Sequence, residues 1–87
     1  MNKVILAGRV GQDPTFKLLA NENSVANFSV ATTEFKNVNG EKQTHTEWHN
    51  IAAWKKLANF VNDYLKKGDQ VLVEGRLKYD TYEKDGV

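Results

Sequence analysis

The apolar pattern of this 87-residue chain has the period of a β-strand along most of its length and changes to the period of a helix once. Between residues 55 and 67 the apolar side chains recur at helical spacing, which predicts an amphipathic helix that ends near Gly68. The apolar positions of this predicted helix are Leu57, Phe60, Val61, Tyr64 and Leu65. The change of period therefore places a single helix inside a chain of strands.

Strand-like alternation appears on both sides of this helix. Between Val25 and Thr33 the side chains of Ala26, Phe28 and Val30 share one face, which is typical of a half-buried strand. The predicted strands are residues 3–10, 25–33, 46–54 and 71–82, with a short additional piece at 16–19. Residues 34–43 form a polar stretch around Asn39-Gly40, which predicts a long hairpin loop.

The order of these elements predicts an all-β fold, a five-stranded Greek-key OB-type barrel with one helix between strands 3 and 4. Gly8, Gly11 and Gly75 fall where strands of such a barrel bend. A turn signal at 83–86 leads into a last strand that has barely begun at Val87, so we expect a single domain over residues 1–87 with its fifth strand truncated. Barrels of this type bind single strands or oligosaccharides, and the fold alone does not decide between them.

The composition narrows the class of protein. The chain has no cysteine, which excludes disulfides and cysteine-based zinc sites, and it has a net charge of +1. Its first apolar run, Val4 to Ala7, is too short to cross a bilayer and lacks the features of a secretory signal. We therefore expect a cytoplasmic protein without membrane contact. Any attraction for nucleic acid must come from a local concentration of basic residues.

Two tryptophans stand six positions apart on the predicted third strand. Side chains alternate along a strand, so Trp48 and Trp54 share a face, with the small or polar residues Asn50 and Ala52 between them. Flat rings separated by small residues form a platform on which unpaired bases can stack. The same spacing also fits two buried rings, and the alternation alone leaves both interpretations open.

Three segments of the chain resemble the bacterial-type single-stranded DNA-binding protein family. These segments are Val4 to Pro14, Thr46 to His49, and Tyr64 to Val71 followed by Glu74-Gly75, and they occur in the family's order. The resemblance implies an OB-fold domain, a homotetramer or alternatively a dimer, and protection of single-stranded DNA during replication, recombination and repair. It also implies a nucleoid-associated location. The family's flexible tail with an acidic tip, through which replication and repair proteins dock, does not occur in this sequence.

The resemblance also implies roles for individual residues. Its stacking positions correspond to Trp48, Trp54, Phe35 and Tyr82. The basic residues that would line the DNA groove are Lys3, Arg9, Lys17, Lys36, Lys42, Arg76, Lys78 and Lys84. Asn50 and Asp80 stand where relatives often carry a basic residue, which predicts weaker or more salt-sensitive binding. The predicted subunit-interface residues are His49, Tyr64, Val4 and Leu6.

The sequence offers no catalytic constellation. It contains no phosphate-binding glycine loop, no zinc-protease motif and no nucleophile elbow, so we expect neither an enzyme nor a bound cofactor or metal. His49 lies on the strand face opposite Trp48, which favours packing over chemistry. Two other functions fit the same fold: a dimeric primosome-type OB accessory protein, and an OB adaptor that buries its aromatic residues against a protein partner.

Overall fold

The computed structural model describes residues 1–79, which form one curled antiparallel sheet and one helix. The elements are β1 (Val4–Val10), β2 (Thr15–Leu18), a 3-10 turn (Ala20–Glu22), β3 (Ser24–Val38), β4 (Glu41–Trp54), α1 (Lys56–Tyr64) and β5 (Gln70–Gly75). The predicted all-β architecture with one helix is confirmed. The short piece at 16–19 forms a strand of its own, β2, so that the helix follows the fourth strand in chain order.

The long strand β3 organises the sheet. One edge of β3 pairs with β4, whereas its other edge pairs first with β2 through Ser24 to Asn27 and then with β1 through Val30 and Ala31. The far edge of β1 pairs with β5 from Val4↔Gly75 to Arg9↔Gln70. Because β3 exchanges one neighbour for another along its length, the sheet curls into a half-barrel.

The core lies on the inner face of this curl, where α1 covers the base of β3 and β4. Ala26 and Ala53, a directly opposed pair on these strands, are buried against Ala58 and Val61 of the helix. These four small side chains allow close approach of the helix to the sheet. Phe16, Phe28 and Leu65 pack around this cluster.

The segment 34–43 differs from its prediction. Instead of a long polar loop, it continues both strands to a two-residue turn at Asn39 and Gly40, whose φ angles of 52° and 82° are those of a type I′ turn. The β3–β4 register runs without a break from Val25↔Trp54 to Val38↔Glu41. The sequence did not predict these strands because both of their faces are exposed beyond Thr32, and their side chains therefore show no alternation of apolar and polar residues. We call this outer part of the hairpin, residues 32–47, the arm.

The helix and the last described strand are shorter than predicted. The helix ends at Tyr64, and Gly68, with a φ of 90°, lies in the following turn, where its N–H donates to the Val10 carbonyl. Strand β5 ends at Gly75, whereas the alternation predicted a strand to Tyr82. The predicted apolar helix face is also wider than its contact with the sheet, since Leu57, Phe60 and Tyr64 are exposed. The truncated fifth strand lies outside the described residues.

The junction between β4 and α1 depends on one unusual residue. Lys55 has φ 59° and ψ −125°, a conformation that favours glycine. Its N–H donates to the Ser24 carbonyl at 2.9 Å, and the buried Ser24 hydroxyl donates to the Lys55 carbonyl at 3.3 Å. These contacts hold the chain in a turn that moves the Lys55 side chain to solvent, where strict alternation would have placed it on the inner face with Ala53.

We predict that Lys55→Gly raises the free energy of unfolding by about 1 kcal/mol, because glycine adopts this backbone conformation without steric strain. Urea denaturation followed by circular dichroism measures the change. Lys55→Ala is the control, since it removes the charged side chain but keeps the Cβ atom. Equal stability changes in the two variants would contradict strain at Lys55.

Candidate nucleic-acid interface

Three aromatic rings lie on one face of the β3–β4 hairpin and are exposed to solvent. Directly opposed residues in an antiparallel pair share a face, and the unbroken register places Phe35 opposite Thr44 and thus on the same side as Trp48 and Trp54. The exposed fractions are 61% for Phe35, 61% for Trp48 and 51% for Trp54. We call this side of the sheet the outer face. The rings are therefore available to a ligand and do not fill the core.

The spacing of the rings follows from strand geometry. Trp48 and Trp54 are separated by six residues, or about 20 Å along β4, and Phe35 lies about 13 Å beyond Trp48 at the position of Thr44. Asn50 and Ala52 lie between the tryptophans on the same face and are exposed. The outer face thus presents flat rings separated by small or polar side chains.

Each tryptophan has a basic residue two strands away in the same row of paired positions. Arg9 on β1 pairs with Ala31 on β3, which pairs with Trp48 on β4. The second row consists of Lys17, Val25 and Trp54. Two strand spacings place each cation about 10 Å from its tryptophan at the level of the backbone. The Lys17 ammonium group therefore lies within reach of a ligand stacked on Trp54. The Arg9 guanidinium donates to the Gly68 carbonyl at 3.1 Å and must leave or share this hydrogen bond to reach a ligand on Trp48.

Phe35 also has a basic neighbour. The ammonium nitrogen of Lys42 lies 4.5 Å from the centroid of the Phe35 ring, in a cation–π contact. Lys42 shares the outer face because it pairs with Asn37, two residues from Phe35. Each of the three rings on the outer face therefore has a cation on the same face, in contact with Phe35 and two strands away from each tryptophan.

The acidic residues of these strands point the other way. On the outer face of β1 to β4, all of which the structure describes, there is no carboxylate. The arm carries Glu34, Glu41 and Glu47, and strand alternation places all three opposite to Phe35 and Trp48. On these four strands the outer face thus carries cations without carboxylates, although the whole chain has a net charge of only +1. Strand β5 adds one carboxylate to this face, that of Glu74, which forms an ion pair with Lys3.

The remaining predicted cations occupy different environments. Lys3 forms an ion pair of 2.9 Å with Glu74, while Lys36 projects from the opposite face of the arm to Phe35. Arg76 and Lys78 are exposed beyond the end of β5. Tyr82, Lys84 and Asp80 lie outside the described residues.

Sequence reasoning missed two lysines next to Trp54. Lys55 and Lys56 follow it directly at the start of α1, and both are exposed. Their position immediately after the second tryptophan is the sequence signal that could have identified them as part of the interface. Their exposure was hidden because residue 55 would belong to the inner face if β4 continued, and only the left-handed turn at Lys55 brings it to the surface.

Three of the predicted subunit-interface residues lie on the inner face of the sheet, and the fourth lies on the helix. His49 is half-buried on the inner face, where its Nε2 lies 2.9 Å from the Thr32 hydroxyl oxygen, and Val4 and Leu6 are half-buried on the inner face of β1. Tyr64 is exposed on the helix, with its ring centroid 5.0 Å from that of Phe60. The role of these residues in subunit contact stays a prediction.

Within residues 1–79, no three His, Cys, Asp or Glu side chains are grouped so that they could hold a metal ion. In the same part of the chain, no helix combines the length and apolar character required to cross a bilayer.

Comparison with known proteins supports one family. The model of the single-strand binding protein family matches residues 1–87. A single-stranded DNA-binding protein of Neisseria meningitidis serogroup A is 48% identical over 89 residues, which cover 100% of this chain and 51% of the relative. Single-stranded DNA-binding protein 1 of Chlorobaculum tepidum is 49% identical over 84 residues, covering 95% of this chain and 52% of the relative. The chain thus spans about half the length of these relatives.

A solved structure has the same architecture. The SSB of Plasmodium falciparum in complex with ssDNA superposes with a TM-score of 0.81 and 39% sequence identity. The superposition covers 87% of this chain and 68% of that structure's chain.

The opposite face of the arm contains an acid–base pair that generates a pH prediction. A hydrogen bond with His45, 2.7 Å long, and then the charge of His45 lower the pKa of Glu47, with a smaller effect from the charge of His49. A lowered carboxyl pKa stabilises the fold above the carboxyl pKa of the unfolded chain, and this contribution is lost as pH falls through the folded-state pKa. We predict that His45→Ala raises the pKa of Glu47 toward its ordinary value, as measured by NMR titration of the Glu47 side chain.

His49→Ala is the comparison for this titration, and it is expected to give a smaller rise in the Glu47 pKa. An unchanged Glu47 pKa in His45→Ala would show that the 2.7 Å contact does not persist in solution.

Proposed function

Because this chain belongs to the single-strand binding protein family, we propose that it binds single-stranded DNA independently of base sequence. The observation that supports this proposal most directly is the outer face of the β3–β4 hairpin. It has three exposed rings and a lysine in contact with one of them, and the acidic residues of the arm lie on the other side. Its relatives from Neisseria meningitidis and Chlorobaculum tepidum are named as single-stranded DNA-binding proteins. The Plasmodium falciparum relative was solved with ssDNA bound.

Base stacking on Phe35, Trp48 and Trp54 supplies the affinity that does not depend on salt. Each stacked base contributes about 1 to 3 kcal/mol, and every base offers a flat face, so the contact tolerates any sequence. Exposed bases are required, since a duplex hides these faces within its own stack. This requirement makes the surface selective for unpaired strands.

Phosphate contacts supply the remaining, salt-dependent affinity. Arg9, Lys17 and Lys42 lie closest to the rings on the outer face, and Lys55 and Lys56 extend this basic surface beyond Trp54. The other proposed cations are Lys3, Lys36, Arg76, Lys78 and Lys84. Lys3 contributes less than an unpaired lysine because DNA must compete with Glu74 for it. Tyr82 is the fourth proposed stacking residue.

The cellular role that follows is protection of exposed single strands during replication, recombination and repair in the cytoplasm, without catalysis. We propose a homotetramer, with a dimer as the alternative, and propose His49, Tyr64, Val4 and Leu6 as its contact residues. The exposed Ile5 and Leu72 on the outer face of β1 and β5 add apolar surface that a second subunit can cover. Native mass spectrometry with and without a long oligonucleotide distinguishes tetramer, dimer and monomer.

We predict that Trp54→Ala weakens binding to oligo-dT by about 1 to 3 kcal/mol, because one stacking surface is lost while the core keeps its packing. Fluorescence titration measures the affinity, with quenching of the tryptophans as the signal. Val38→Ala is the matched control, since Val38 lies on the same hairpin but on the opposite face. Unchanged affinity in folded Trp54→Ala would remove Trp54 from the interface.

The same titration of the unmodified protein distinguishes a DNA-binding protein from an OB adaptor that binds only proteins. Quenching of Trp48 and Trp54 by oligo-dT is expected for a DNA-binding surface, whereas an adaptor that binds only proteins gives no response.

We predict that Lys17→Gln makes the negative slope of log affinity against log salt concentration shallower by about 0.7, because one phosphate contact with a single strand is lost. Binding isotherms for oligo-dT between low and moderate salt measure this slope. Lys36→Gln is the comparison, and it is expected to change the slope less than Lys17→Gln does, because Lys36 lies on the face opposite the rings. A normal slope in Lys17→Gln would exclude Lys17, and complete loss of binding at moderate salt would contradict the stacking contribution.

A further inference from the structure

Gly11, directly after β1, is a glycine for a reason other than backbone conformation. Among the described glycines, the left-handed ones are Gly40 and Gly68, so the φ angle of Gly11 is open to any residue. Its N–H donates to the Ser29 carbonyl at 3.0 Å, which continues the contact of β1 with β3. Neither the conformation nor this hydrogen bond requires the absence of a side chain.

The space around Gly11 is too small for any side chain. A methyl group at this position would overlap Cζ3 of Trp48, and would lie 3.1 Å from Cη2 of the same ring and 2.8 Å from Oγ of Ser29. The Ser29 hydroxyl can rotate away, but the indole is a rigid plane. Trp48 starts on β4, with Ala31 of β3 directly opposite it, so its six-membered ring extends across β3 to reach Gly11. The indole therefore rests against bare backbone at its far end.

We propose that Gly11 is the positioning residue for Trp48, and that it fixes the indole across β3 with its outward face free for one base. The proposal rests on the proposed DNA binding for its functional part. A ring that is already fixed loses less conformational freedom when a base stacks on it, which favours binding. Trp54 has no described glycine packed against its ring, so this arrangement is specific to Trp48.

The test uses Gly11→Ala in a Trp54→Phe background, where Trp48 is the only tryptophan of the chain. The added methyl group is expected to displace the indole, which shifts its emission to the red and increases its quenching by acrylamide. The affinity for oligo-dT is expected to fall about 5-fold or more, the lower end of the loss for one stacked base. Gly75→Ala in the same background is the control, because nothing lies within 4 Å of a methyl group there.

A double-mutant cycle separates positioning from general damage. If Gly11 acts through the ring, Gly11→Ala has no further effect on affinity once Trp48 is replaced by alanine. If Gly11→Ala alone does not fold, Gly11→Ala/Trp48→Ala is expected to fold, since the clashing ring is gone. Equal losses of affinity with and without Trp48, unchanged Trp48 emission in Gly11→Ala, or an unfolded double variant would each overturn the proposal.

The emission and acrylamide measurements are made without DNA. If the unmodified protein fails to bind oligo-dT, the proposed function fails, whereas these two measurements still decide whether Gly11 positions the ring.

Discussion

The continuous pairing of β3 with β4 determines the geometry on which the interface depends. A single register sets which residues share a face from the buried pair Ala26↔Ala53 at the base to Val38↔Glu41 at the tip. A shift of one residue would exchange the two faces of one strand, which would turn Phe35 away from Trp48 and bring carboxylates toward the cations. The core at the base and the type I′ turn at the tip both enforce this register. Ring placement and charge segregation are thus consequences of one set of backbone hydrogen bonds.

The common face of the two tryptophans was predictable because period-two alternation needs only an uninterrupted strand between them. The face on which Phe35 lies could also have been predicted, since a two-residue Asn39-Gly40 turn fixes the register of the whole hairpin. It was missed because the polar arm was interpreted as a loop. Alternation also places no carboxylate with the rings, but this becomes visible only when both strands of the arm are recognised.

Other features depend on contacts between residues far apart in the sequence. Gly11 was interpreted as a bend in a strand, whereas in the structure its missing side chain leaves space for the Trp48 ring, which extends from β4 across β3. The positive φ angle of Lys55 has no sequence signal, because lysine rarely adopts it and the contacts that hold it here are with Ser24, 31 residues away in the chain. The exposed apolar side of α1 could not be separated from the buried one, since a periodic pattern does not show how wide the contact with the sheet is.

The two-residue turn at the end of the arm has a consequence for how such domains can diverge. Adding one residue to each strand next to Asn39 and Gly40 lengthens the arm by one rung and leaves every pairing nearer the base unchanged. The distance over which the arm extends from the barrel can therefore vary among homologous sequences while the tryptophan sites stay fixed. Insertions of equal length in the two strands at this tip would let related proteins cover different lengths of a DNA strand while the stacking sites near the barrel stay the same.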